Sequence, residues 1–238
     1  MVESNEPMDV PKTSSLKPLE SIKHMKRSIF MPFKRDRKKH WNRVYEKNLP
    51  SEVGWYQDYP KMSLKLIAIT EVGADGSIID IGGGTSKLTG ILFDQGYKRL
   101  TVLDISGKSI EKAKIQLAEN SSAITWIEAD VTKYDFKEKF DIWHDRAVFH
   151  FLTEVEDRKG YINSLNQALT LNGHLIIGTF GLDAPPKCSG LPVVRYEPDT
   201  LHNELGNNFD LAETFFEDHV TPSGVRQKFI FCRFIKRT

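Results

Sequence analysis

The residues with the clearest chemical content sit in one run, Ile78-Ile79-Asp80-Ile81-Gly82-Gly83-Gly84-Thr85-Ser86. An apolar segment ends in an acid and breaks into three glycines. Twenty residues after Gly84, a second apolar segment, Leu100-Thr101-Val102-Leu103, ends in Asp104. Glycines at such a turn let the backbone fold tightly and approach a ligand closely. An acid at the end of the next strand accepts hydrogen bonds from ribose hydroxyls. The pairing points to a βαβ unit that holds a nucleoside-containing cofactor. Asp130 follows the next apolar segment within Glu128-Ala129-Asp130-Val131, and Asp145 and Arg146 follow Phe140-Asp141-Ile142-Trp143-His144. Ligands of such sheets lie beyond the C-terminal ends of the strands, where all these residues are expected.

Positioning them requires alternating strands and helices. The expected strands are Ser77–Ile81, Leu100–Asp104, Ile124–Glu128, Phe140–His144 and His174–Thr179. Helices are expected over Lys38–Lys47, Lys61–Val72, Ser86–Gln95, around Ile110, Ala113 and Leu117, over Val155–Leu171, and over Pro198–Leu205. The Val155–Leu171 helix is expected to stop at Asn172-Gly173, a fitting C-terminal cap. Two last strands, Phe209–Glu217 and Gln227–Phe234, flank Thr221-Pro222-Ser223-Gly224, which predicts a hairpin. The fold expected is α/β: a Rossmann-like doubly wound sheet, mostly parallel, with a C-terminal antiparallel hairpin.

The chain has 238 residues, 39% of them hydrophobic and 11% aromatic, enough for one sizeable core. Its formal net charge of +1 gives no electrostatic case for nucleic acid or membrane as a partner. No apolar run approaches the roughly 20 residues that span a bilayer. Cys188 and Cys232 show no CxxC spacing, which fits a reducing, cytoplasmic compartment. Residues 1–36 carry four prolines and no sustained apolar period, and a basic stretch runs from Lys23 to Lys39. They are expected to form a flexible tail before one globular domain, 37–238, with nuclear import as the weaker reading of the basic stretch.

The sixth position of the glycine run, where a dinucleotide fingerprint has its third glycine, is Lys87. Asp80-x-Gly82-x-Gly84 instead resembles the first motif of class I S-adenosylmethionine (SAM) methyltransferases, with Ser86 where that motif ends in glycine. SAM has no pyrophosphate, so a carboxylate beside it is not repelled. The terminal hairpin also resembles that superfamily, and the resemblance covers about residues 38–236. It implies that Asp80, Gly82, Gly83 and Gly84 wrap the methionine half of SAM. It further implies that Asp104 holds the ribose, Ile105 packs on adenine, Asp130 takes the adenine amino group and Val131 offers its backbone N–H to the ring. Asp145 and Arg146 fall where the superfamily places cofactor-lining and acceptor-facing groups. His150 is either a base or a core histidine, the latter favoured.

His40-Trp41-Asn42-Arg43-Val44-Tyr45 and Trp55-Tyr56-Gln57 resemble a subgroup of these enzymes, as do Trp143 to Leu152 and Lys187 to Val193. In class I enzymes the segment before the first strand lids the cofactor. Trp41, Tyr45, Trp55 and Tyr56 are lid candidates, with core packing favoured for Trp41 and a ligand role for Trp55 and Tyr56.

The implied activity is methyl transfer from SAM, with S-adenosylhomocysteine as product. The acceptor expected first is a small molecule, such as a thiol or carboxylate metabolite. Alternatives are a protein lysine received by an acidic rim (Asp58, Glu154, Glu156, Asp157) or a non-catalytic SAM-binding protein, with a nicotinamide dehydrogenase a distant fourth. No metal site is expected, because Cys188, His219 and Cys232 lack ligand spacing. His219 is expected to be an exposed turn residue, and Cys188 to lie in a loop on the active side of the sheet.

Overall fold

In the computed structural model the described residues are Met1 and 36–238. The expected tail, apart from Met1 and Asp36, lies outside them. β1 (Ser77–Ile81) is the apolar run before the glycines and is buried throughout. Its side chains alternate between two cores, Ile79 and Ile81 entering one and Ile78 the other. A strand covered on both faces has this character. β2 (Arg99–Asp104), β3 (Thr125–Glu128), β4 (Phe140–Arg146) and β5 (Leu169–Phe180) lie parallel to it. α5 (Val155–Ala168) and α6 (Pro198–Leu205) contribute Tyr161, Leu165 and Leu201 to the first core. α2 (Lys61–Ile69) and α3 (Leu88–Asp94) contribute Leu66, Ile67, Leu88 and Leu92 to the second.

The loop after β5 contains a short ladder of β6 (Lys187–Cys188) with β7 (Leu191–Pro192). The terminal hairpin consists of β8 (Phe209–Val220) and β9 (Arg226–Lys236), joined through the expected turn. The sheet order is β3-β2-β1-β4-β5-β9-β8, so β9 is inserted antiparallel beside β5 and β8 forms the edge. The direction of winding reverses between β1 and β4. A crevice opens at such a switch point beyond the C-terminal ends of the strands.

The expected cap at Asn172-Gly173 is not a helix end. α5 stops at Ala168, and Leu169, with extended backbone and a fully buried side chain, begins β5 opposite Phe140. Asn172 does adopt the left-handed conformation its type favours (φ 59°), but as a kink within β5. Among the described residues no helix is long and apolar enough to cross a membrane.

Candidate functional site

Asp80 ends β1 as a buried carboxylate. Its Oδ1 lies 2.7 Å from His144 Nδ1 on β4, and His144 Nε2 lies 2.9 Å from Ser63 Oγ on α2. Asp80 Oδ2 is buried without a hydrogen-bond partner. Gly83 crosses that oxygen so closely that a Cβ there would stand 2.5 Å away. Gly82 has φ +66°, and a Cβ on it would run into Val148. At Gly82 and Gly83 the packing leaves no room for a side chain.

On the neighbouring strand, Asp104 is 5% exposed. Its Oδ1 accepts the Ser106 N–H at 2.8 Å, which belongs to the N-cap residue of α4 (Gly107–Leu117). Burial raises its pKa to about 7 against the lowering effect of Ser106 and Ser109, with Asp80 and Glu128 adding repulsion. Ile105, Asp130 and Val131 line the same cavity as Asp104. Both oxygens of Asp130 are already engaged: Oδ1 accepts from the Thr132 N–H and hydroxyl, and Oδ2 from Arg37 Nη2 at 2.7 Å. Burial pushes the Asp130 carboxyl upward, but the Thr132 bonds and the Arg37 charge together hold it below its ordinary value.

Arg37 is the residue the sequence reading assigned only to a basic stretch. It opens α1 (Arg37–Lys47), where Asp36 caps the helix by accepting the Lys39 N–H at 3.0 Å. It also pairs with Asp157 at 3.1 Å. Arg37, Trp41 and Tyr45 are spaced i, i+4, i+8, so they share one helix face, and all three line the cavity. That periodicity is the signal that could have found Arg37. Trp41, expected to pack, stands edge-on to Trp55 (5.5 Å) and to Phe151 (4.9 Å) while also forming cavity wall. Trp55 borders both this cavity and the one under Asp80, and Tyr56 borders the second.

The segment carrying Trp55 is fastened to the far side of the sheet. The Trp55 carbonyl accepts from Arg146 Nη1 at 2.8 Å, and Gln57 Nε2 donates to Glu217 Oε1 at 2.9 Å. His219, expected at an exposed turn, is instead buried, with its Nε2 2.8 Å from the Gly54 carbonyl oxygen. It lies within β8, inside the turn, and packs on Phe229.

The three residues expected to act on the acceptor separate. Arg146 lines both cavities. Asp145 and His150 line neither and are fully buried. Asp145 accepts the N–H groups of Val148 (2.9 Å) and Phe149 (3.1 Å) and the Tyr161 hydroxyl (2.7 Å), so its carboxylate pins the turn after β4. Ala147, at φ 71°, makes that reversal. His150 Nδ1 accepts the Phe180 N–H at 3.3 Å, and burial with the Arg146 charge lowers its pKa to about 3, keeping it neutral. Its ring packs edge-on against Phe151 and Phe180.

Cys188 lines the first cavity, with its thiol raised to about 11 chiefly by burial. Cys232 lies mid-strand beside Thr214. Among the described residues no group of three or more His, Cys, Asp or Glu side chains is arranged to hold a metal ion. Three of the four residues of the expected acidic rim have cationic partners. Asp58 pairs with Lys87, Glu156 with Lys159 and Asp157 with Arg37. Lys87, the residue that argued against a dinucleotide, points out to that lid segment from the start of α3.

Residues 47–183 match the family model for nodulation protein S (NodS). Malonyl-(acyl-carrier protein) O-methyltransferase of Anoxybacillus flavithermus is 37% identical over 106 residues, which is 44% of this chain and 39% of that protein. The chain thus spans well under half the length of that relative. Human EEF1A lysine methyltransferase 2 is 23% identical over 199 residues, 77% of this chain and 78% of that protein. Among solved structures, N-methyltransferase NodS from Bradyrhizobium japonicum WM9, in complex with S-adenosyl-L-homocysteine, superposes with a TM-score of 0.64. It is 20% identical, and the match covers 83% of this chain and 98% of that one.

Proposed function

The chain belongs to the nodulation protein S family, and from that premise we propose that it is a SAM-dependent methyltransferase acting on a small molecule. The observation that carries the reading is the state of Asp80, a buried carboxylate with one oxygen tied to His144 and the other unpartnered under a glycine turn. Such an oxygen calls for a cation or a hydrogen-bond donor. The α-ammonium of a methionine moiety answers it, whereas a dinucleotide pyrophosphate would be repelled. Bound SAM supplies an electrophilic methyl group on a sulfonium centre.

The chain's own residues do the rest. Asp80 and the turn at Gly82, Gly83 and Gly84 hold the amino-acid half. Asp104 accepts the ribose hydroxyls, and Ile105, Asp130 and Val131 border the base, with Arg37 holding the Asp130 carboxylate in place. Trp41, Tyr45 and Trp55 roof the cavity and exclude water, which favours transfer to the acceptor over side reactions. Their electron-rich faces suit a sulfonium. Two free, buried thiols fit a reducing, cytoplasmic setting.

The deciding experiment is calorimetric titration with SAM, S-adenosylhomocysteine and NADH. Micromolar binding of the two adenosyl ligands with no NADH response is the expected result, and NADH binding alone would overturn the reading. A second expectation follows from Asp104. Its carboxyl titrates near pH 7 in the free protein, and ribose hydroxyls donate best to the ionised form. Ligand binding therefore releases a proton, and affinity rises with pH. The dissociation constant for S-adenosylhomocysteine should fall about tenfold from pH 6 to pH 8 and level off above that. Asp104→Asn should flatten the profile, and an equally steep profile in that variant would assign the titration elsewhere.

A further inference from the structure

The Arg146 side chain is 10% exposed, and only part of its guanidinium is used. Nη1 donates to the Trp55 carbonyl at 2.8 Å. The guanidinium carbon stands 4.8 Å from the Phe229 ring centroid. Nε and Nη2 are both buried and both without a hydrogen-bond partner. Glu217 Oε1 is 4.0 Å from Nη2, beyond hydrogen-bond reach, and is itself taken by Gln57. Burial lowers the Arg146 pKa to about 10, so the group remains a cation at neutral pH. A buried charge with two unused donors is costly unless something pairs with it.

Nε–H and Nη2–H lie on the same edge of the planar guanidinium, the fork that matches the two oxygens of a carboxylate. The same chain shows that edge filled elsewhere. Arg233 offers Nε and Nη2 to the two carboxylate oxygens of Glu213, and Arg158 offers Nε to Glu204 at 2.7 Å. Arg146 is the member of this set whose edge faces no carboxylate within hydrogen-bond distance. It also lines both cavities of the site. Its contacts belong to the Trp55 segment, to β9 and to β8, on the opposite side of β4 from the cofactor acids on β1 and β2.

We propose that the free Nε–Nη2 edge of Arg146 seats a carboxylate of the methyl acceptor, so that the enzyme selects acidic small molecules. The inference rests on the methyltransferase reading, and deepens it by naming the acceptor's chemical class. A protonated amine acceptor would meet a fixed positive charge here, and a neutral acceptor would leave two buried donors unpaired.

The test uses the full chain saturated with S-adenosylhomocysteine and two isosteric probes, benzoate and benzamide. Benzoate should bind about 10- to 100-fold more tightly than benzamide. Arg146→Gln should abolish the difference, and Arg146→Lys, which keeps the charge but loses the fork, should retain part of it. Because Nη1 also holds the Trp55 carbonyl, S-adenosylhomocysteine affinity is measured in both variants, and the two probes are compared at saturation with that ligand. Equal binding of the two probes by the wild-type protein overturns the proposal without recourse to any variant. So does an Arg146→Gln protein that loses tenfold or more in S-adenosylhomocysteine affinity yet still prefers benzoate, because the edge then serves the carboxylate of the cofactor. Failure of the wild-type protein to bind S-adenosylhomocysteine would instead sink the underlying methyltransferase reading.

Discussion

Asp104→Ala is expected to weaken S-adenosylhomocysteine binding by about 100- to 1000-fold while leaving the fold intact. In the proposed function this carboxylate accepts two ribose hydroxyls, and two hydrogen bonds to a charged acceptor at the lower end of about 1.5–3 kcal/mol each give a loss of that size. The packing keeps it in place, since Gly84 approaches so closely that a Cβ there would stand 2.6 Å from Asp104 Oδ2. The stability side has an unusual sign. Because burial raises the Asp104 pKa to about 7, the folded protein binds more protons than the unfolded chain between about pH 4 and pH 7. The contribution of this group to stability is fully present below the unfolded value and is lost as pH rises through 7. Removing it should cost little at pH 8, where the charge is buried at a penalty. Calorimetry and thermal melts at pH 8 check both halves. Near-wild-type affinity in a folded variant would remove Asp104 from the site.

The second large effect falls on stability. Asp145→Ala should lower the unfolding free energy by about 3–5 kcal/mol and the melting temperature by roughly 10 °C. Three donors lose their acceptor at once: the N–H groups of Val148 and Phe149 and the Tyr161 hydroxyl, all within the first core or its edge. Tyr161 in turn accepts from Trp143 Nε1 at 2.9 Å, so the loss reaches two of the largest fully buried side chains. Asp145→Asn keeps one acceptor oxygen and should show about half the effect. A variant that melts like wild type but loses methyl transfer would restore a direct chemical role to this carboxylate.

The expectation for Asp145 shows where sequence reasoning reached its limit. Its position just past the apolar part of a strand was readable, and so was its neighbourhood to the site. What the residue points at was not, because the partners arrive from Val148, Phe149 and Tyr161 through a left-handed turn at Ala147, a residue type that gives no warning of one. The strand-ending acids Asp80 and Asp104 were legible because glycine spacing and strand order jointly constrain them. His144 and Ser63 escaped notice because their link to Asp80 spans three elements, with no local pattern to announce it. His219 was misjudged for the same reason: sequence placed it beside a turn, while its burial depends on a carbonyl 165 residues away. At Asn172-Gly173 the local signal was sound and the context was not. The left-handed residue exists, but Leu169 gains more by entering the sheet against Phe140 than by extending α5.

The fastening of Gly54, Trp55 and Gln57 to β8 and Arg146 bears on the order in which the molecule is made. The segment that roofs the site emerges early in synthesis, whereas His219 and Glu217, which hold it, follow some 160 residues later. Domains fold as units while the chain lengthens from its N-terminus. A ribosome-bound chain that stops before β8 therefore has its glycine turn, Asp80 and Asp104, but a roof segment held only through Trp55 to Arg146. Adenosyl ligands should not rescue such intermediates from proteolysis, and their protective effect should switch on abruptly once the final hairpin has been released.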